Sequence, residues 1–389
     1  MVHNPLALVM ILLLIEFFVL YISSRPKFEK YFRFFPSVFW IYFIPMLAST
    51  FGLIDSKAPI YQFISVNLLP ASLVLLLLSS DIKSILKLEK PALIMMFAGS
   101  LGIMLGTPLV FFLVQRWVGA QMWAGFGALS ASWIGGSANM IAVKEALGTP
   151  DAVFTPMVIV DTVVPYTWMG ILVALVGLQP LYDRWNRSDR KVLDKLSSRA
   201  TNAPLKAKIS YKFKTTVIIL CLAVCGTFLA QFAAKFFPVI KEMFSAYTWT
   251  IVIVSVLGIL LSFSPAKKLD HFGASKIGYF ILYFVLTSIG AKANISNIGS
   301  TAVLILAGFL IVFIHAAVTI LVSRLIRAPM FLAVVSSQAN IGGVASAPIV
   351  AAIYQPGLAS VGLLLAILGN IIGTYLGIVT GQLCHWVAR

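Results

Sequence analysis

Twelve apolar stretches of roughly 16 to 28 residues dictate what this chain can become, because one helical crossing of a bilayer core takes about 20 apolar residues. They fall at 5–23, 38–54, 62–80, 91–115, 122–147, 153–179, 215–236, 247–264, 273–290, 299–323, 329–353 and 358–386. With 60% hydrophobic and 11% charged residues, almost nothing remains for a soluble domain. The expected fold class is an all-α integral membrane protein. The first stretch reads as a retained span rather than a signal peptide: no Lys or Arg precedes it, Glu16 interrupts it and no small-residue cleavage site follows.

The net charge of +16 does not point to nucleic acid, since the basic residues lie scattered in loops between apolar runs instead of on one solvated face. They report topology. Cys221, Cys225 and Cys384 lie in or beside apolar segments, with no paired spacing and no histidine at ligand distance, so neither a disulfide framework nor a zinc site is expected. There is no HExxH, GxSxG or phosphate-binding loop, so neither an enzyme nor a resident cofactor is expected.

Residues 180–214, dense in Lys and Arg, form the one long hydrophilic stretch and divide the chain into a first membrane repeat (1–179), a basic cytoplasmic linker (180–214) and a second membrane repeat (215–389). The repeats are visible in sequence. SASWIGGSANMIAV at 130–143 and SSQANIGGVASAPIV at 336–350 share an Ile-Gly-Gly centre displaced by 207 residues, and the same displacement relates Thr167-Trp168-Met169-Gly170-Ile171 to Thr374-Tyr375-Leu376-Gly377-Ile378.

Charge chooses between parallel and inverted repeats. If the fifth and eleventh segments are re-entrant hairpins, the loops bearing Arg25, Lys27, Lys30 and Arg33, then Lys83, Lys87 and Lys90, then Lys267, Lys268 and Lys276, and finally Arg324 and Arg327 all join the linker inside. Counting every segment as a full crossing moves the first two of these loops to the wrong side. The expectation is therefore about ten transmembrane helices plus two re-entrant hairpins, in inverted repeats, with both termini outside a cytoplasmic membrane.

A Gly-Gly pair flanked by Ser and Asn inside an apolar run is tolerated where the chain turns or lines a cavity. Gly135 and Gly136 with Ser132, Ser137 and Asn139, and Gly342 and Gly343 with Ser337, Gln338, Asn340 and Ser346, are the candidate site. Helix N-termini at such tips attract an anion, while loosened carbonyls and side-chain oxygens suit sodium. Small-residue helix packing is the competing reading. Asp161 sits deep in an apolar segment, at a cost of roughly 2.5–3.5 kcal/mol if ionised, and is the candidate sodium ligand or proton carrier. Asn370 is its approximate counterpart in the second repeat. Glu16 and His315 read as packing or hydrogen-bonding groups.

With the duplication, the IGGSAN and ANIGGVAS tips and the basic linker, nearly the whole chain resembles the YjcL-like family of uncharacterised multi-pass membrane proteins, grouped with the cation:proton antiporter and anion transporter superfamily. The Gly-Gly tips look like those of glutamate:sodium symporters and 2-hydroxycarboxylate transporters, but Ala138 and Ala345 stand where those carry a further Gly. The resemblance implies a scaffold bundle, a transport bundle, elevator-like alternating access and a homodimer. It implies nothing about glutamate or citrate. The expected function is secondary transport of a small anionic or zwitterionic solute, such as a carboxylate, amino acid or short peptide, coupled to sodium or protons. A cation/proton antiporter or channel without organic substrate is the alternative.

Overall fold

Each of the twelve apolar segments folds as helix in a computed structural model, which describes residues 1–28, 31–32, 37–189, 192–193, 196, 212–239, 245–293, 301–355 and 357–389. In chain order the helices are α1 (Pro5–Ser23), α2 (Ser37–Thr50), α3 (Ile60–Leu78), α4 (Lys90–Val118), α5 (Trp123–Gly135), α6 (Ser137–Ala146), α7 (Asp151–Ala174) and α8 (Gln179–Asn186). There follow α9 (Phe213–Ala234), α10 (Ala246–Ser262), α11 (Ala274–Lys292), α12 (Thr301–Ile326), α13 (Met330–Ile341), α14 (Gly343–Tyr354) and α15 (Ala359–Ala388). Among the described residues the only β pairing is a single bridge, Val2 with Ile54.

Among the described residues, eight helices are long and apolar enough to cross a bilayer, or nine if α10 and the 3-10 turn Pro265–Phe272, bent by 93°, are one span. The remaining single-helix segment, α2, has 14 residues. At 1.5 Å per residue it is about 21 Å long, short of a bilayer core of about 30 Å. The fifth and eleventh segments are each two short helices, α5 with α6 and α13 with α14, broken at the glycine pairs.

Local signals explain the ends. The Asn4 side chain accepts from the Leu6 and Ala7 amides and Pro5 opens α1. Residues ahead of that cap are tied to the 53–55 loop: the Val2 amide donates to Leu53 O at 2.9 Å and His3 Nδ1 lies 3.0 Å from Asp55 Oδ2. The Lys57 amide, and then His3, hold the Asp55 carboxyl below its ordinary range. Ser245 and Thr248 form a capping box at α10.

The chain divides into two compact units, and each draws on both halves of the sequence. The first comprises Met1–Ser79, Lys144–Thr162 and Ile209–Thr301. At its centre, α3 is approached by small positions on three helices: Gly226 of α9 and Gly258 of α10 face Val74 and Leu77, and Gly278 of α11 faces Leu75 and Leu76. A Cβ on Gly258 would stand 2.8 Å from that of Leu77. With little hydrophobic drive between helices in lipid, such close backbone approach supplies the dispersion contact that holds a bundle together.

The second unit comprises Ser80–Val143, Val163–Lys208 and Ala302–Arg389. Here α15 lays Gly369, Gly373 and Gly377 along Ile134, Gly135 and Ala131 of α5, while Gly99 and Gly102 of α4 face His315 of α12. The linker begins as ordered helix: on α8, Asp183 accepts from the Met330 amide at 2.8 Å and Asn186 Nδ2 donates to Ala328 O at 2.7 Å. The rest of the expected linker up to 211 lies, apart from 187–189, 192–193 and 196, outside the described residues.

Candidate functional site

The first break is a glycine conformation before it is anything else. Gly136 has φ 86° and ψ 173°, a region that side chains with a Cβ essentially do not enter, so α5 stops there and α6 starts afresh at Ser137. The Gly136 amide still bonds Ser132 O at 2.5 Å. Asn139, one turn into α6, reaches back: its Nδ2 donates to Gly135 O at 2.5 Å and its Oδ1 accepts from Thr374 Oγ1 of α15 at 2.5 Å. Gly135 has no space for a Cβ, which would meet the Asn139 amide and Gly369 O. Asn370 Oδ1 lies beside Gly136. The structure thus brings Ser132, Gly135, Gly136, Ser137, Asn139 and Asn370 together.

At the second break the left-handed residue is Gly343, φ 60°, with open space where a Cβ would stand. Gly342 is the crowded one, its missing Cβ pointing at the Gln338 amide and the Ser346 hydroxyl. Gln338 Nε2 donates to Ser346 Oγ at 2.6 Å. In a straight helix residues eight apart are about 12 Å apart along the axis, so this bond requires the chain to turn sharply at the glycines. Gln338, Gly342, Gly343 and Ser346 are accordingly one cluster, with Ser337 and Asn340 on the same helix but bonded elsewhere, and α13 also packs against α5.

Two sequence candidates are occupied with packing. Asn340 is fully buried, its Oδ1 accepting from Ser100 Oγ at 2.9 Å and its Nδ2 donating to Met96 O at 3.3 Å. Ser337 Oγ accepts from Trp168 Nε1 at 3.0 Å and pairs with His315 Nε2 at 2.8 Å. His315 Nδ1 lies 2.8 Å from Gly99 O, and a carbonyl only accepts, so Nδ1 carries the proton and Nε2 accepts from Ser337. Protons therefore point one way along Trp168, Ser337, His315 and Gly99. Ser337→Ala strands the indole N–H and the imidazole lone pair. The expected loss is about 1–3 kcal/mol for each stranded group, read as a lowered melting temperature of the purified protein.

Two buried polar atoms at the breaks have no hydrogen-bond partner among the described residues: the Gln338 Oε1 acceptor and the Trp133 Nε1 donor. Along α13 ahead of the second break, a cavity of about 500 Å³ is walled by apolar groups of α7, α8, α12 and α13, among them Trp168, Leu172, Trp185 and Ile320, with Ser337, Thr319 and Tyr182 as hydroxyl-bearing residues. Asp161 is the remaining sequence candidate. It is half-buried on the part of α7 that belongs to the first unit, whereas both breaks and Asn370 belong to the second.

Sequence reasoning did not single out Trp133, Trp168, Ser100 or Thr374 as site groups. Thr374 carried a signal, since it heads one of the two matched repeats. Trp133 and Trp168 also lie inside the matched repeats, whereas Ser100 carries no such signal.

The wider comparisons agree with this picture. The chain is 25% identical over 347 residues to the uncharacterized membrane protein YjcL of Bacillus subtilis (strain 168), covering 87% of each chain. A family model described as a protein of unknown function, DUF819, matches residues 10–386. The broken, glycine-seamed helices above are thus those of a multi-pass membrane protein that belongs to the DUF819 family.

Proposed function

We propose that this protein is a secondary transporter, and not an enzyme, moving a small anionic or zwitterionic solute across a cytoplasmic membrane in a step coupled to sodium or protons. One observation carries the reading: two apolar segments 207 residues apart are both broken at glycine pairs, and buried amides and hydroxyls gather at each break. A break leaves first-turn N–H groups on one side and last-turn carbonyls on the other. The N-termini of α6 and α14, with the Trp133 N–H, suit a carboxylate. The carbonyl ends of α5 and α13, with Gln338 Oε1, suit sodium.

In this reading the segments are re-entrant hairpins of inverted repeats, the linker is cytoplasmic, both termini are outside, and the unit holding both breaks carries the solute in an elevator-like cycle within a homodimer. Asp161 is the coupling carboxylate. It also favours the second reading, a cation/proton antiporter or channel without organic substrate, because a carboxylate at that depth serves a bare cation equally well.

The test is thermal stabilisation of the purified protein by carboxylates, amino acids and short peptides, each with sodium and with an inert cation. A ligand at about 100 times its Kd adds about 2.7 kcal/mol. Stabilisation that needs both solute and sodium is the result expected of a symporter, and Asp161→Asn is expected to remove the sodium requirement while the protein still reaches the membrane. Current across liposomes without saturable solute flux, and with no stabilising solute, overturns it in favour of the second reading.

A further inference from the structure

Glu16 reads from the sequence as a packing or hydrogen-bonding group; it is packed, but it is not hydrogen-bonded among the described residues. On α1 the inward stripe is Leu8, Leu12, Glu16 and Val19, all buried, while Leu14, Phe17 and Phe18 face outward. Glu16 has no exposed surface, and neither carboxyl oxygen has a hydrogen-bond partner among the described residues. It lies about 16 Å from the start of the helix and about 10 Å from its end, near the middle of a crossing.

Among the described residues no cation is paired with Glu16. α1 packs against α2, α11 and the short turn Pro26–Phe28. Their titratable groups are Tyr42, Lys276, Tyr279, Tyr283, Lys292 and Lys27. Tyr42 is bonded to Thr155 at 2.8 Å, and Lys292 stands 3.8 Å from Asp151. Lys276 and Lys292 occupy opposite ends of α11, and Lys27 lies beyond the end of α1. A bare carboxylate with no exposed surface, and with no donor or cation among the described residues, is not a stable species.

We infer that Glu16 is a proton-binding site, occupied in the conformation described here and emptied when the helices around it admit water. On release the carboxyl O–H bond breaks, the proton passes to water and the electron pair stays on the carboxylate. Where the transport reading holds, this names the proton as a coupling ion. That extension rests on the reading; the proton site does not.

The experiment is a melting curve against pH for the purified wild type, Glu16→Gln and Glu16→Leu. Unfolding exposes the carboxyl, which then ionises above about pH 4 to 5, while the folded chain keeps its proton. The unfolded state therefore binds fewer protons, and wild-type stability falls as pH rises. The expected result is a wild type that melts below both variants at about pH 8, with the gap closing toward about pH 5. Parallel curves overturn the inference, and so does a wild type that gains on the variants as pH rises. Solute uptake driven by an imposed pH gradient is then measured: a closing gap without uptake retains the proton site and removes the transport reading. Uptake that keeps its pH dependence in Glu16→Gln removes the coupling role.

Discussion

Gly343→Asn is expected to leave the protein near its wild-type stability, whereas Gly343→Val, Gly136→Asn and Gly136→Val are all expected to damage it. The two glycines break their helices by different means. Gly343, at φ 60°, is in the left-handed region that asparagine enters readily, and nothing crowds the place of its Cβ. Valine there adds a β-branched clash with its own backbone. Gly136, at φ 86° and ψ 173°, is in a region essentially reserved for glycine, so asparagine gains nothing over valine. Each poor replacement costs about 1–3 kcal/mol, and the asparagine at 343 less than about 1 kcal/mol, read as melting temperature. In the transport reading the three poor variants also lose uptake. Equal tolerance of asparagine at both sites contradicts the geometry of the first break.

Lys144→Met is expected to cost more. Its ammonium lies 2.8 Å from Glu145 and 3.1 Å from Asp151, with only 4% of the side chain exposed, and faces the Phe154 ring. Lys292 stands 3.8 Å from the other oxygen of Asp151. Removing one partner of a buried pair strands the other at about 3–5 kcal/mol. Glu145 and Asp151 keep 16% and 26% of their side chains exposed, so water relieves part of this and the lower end, about 3 kcal/mol, is expected. Lys144→Met with Glu145→Gln is expected to recover much of the loss, because Asp151 retains Lys292. A double variant as unstable as the sum of its singles shows instead that the lysine acts by packing its stem.

Much of this fold was legible because the properties that decide it are local. Apolar run length fixed where helices form, and a glycine pair among Ser and Asn marked where they break. Boundaries moved by a few residues: the stretch 38–54 is helical over Ser37–Thr50, and 153–179 begins at Asp151. Partners were not legible. Asn139 is bonded to a threonine 235 residues away and Ser337 to a tryptophan 169 away, and no composition or spacing encodes such pairs. His315 read as a packed hydrogen-bonder, and both of its ring nitrogens are bonded. Glu16 and Lys144 show the same limit from the other side. One carboxyl ends without a partner among the described residues, and one ammonium ends between two carboxylates.

The interleaving of the two units sets a timetable for biosynthesis. α5 and α6 leave the ribosome long before α15, on which Ala131, Gly135 and Asn139 rest. At about 5–20 residues per second, the 235 residues between Asn139 and Thr374 take about 10–50 s to synthesise. Throughout that interval the face of the broken helix that α15 covers, with the Asn139 amide bonded there to Thr374, lacks its native cover. Truncation before residue 374 is therefore expected to leave that face uncovered, read as faster degradation of the shortened chain than of the full one.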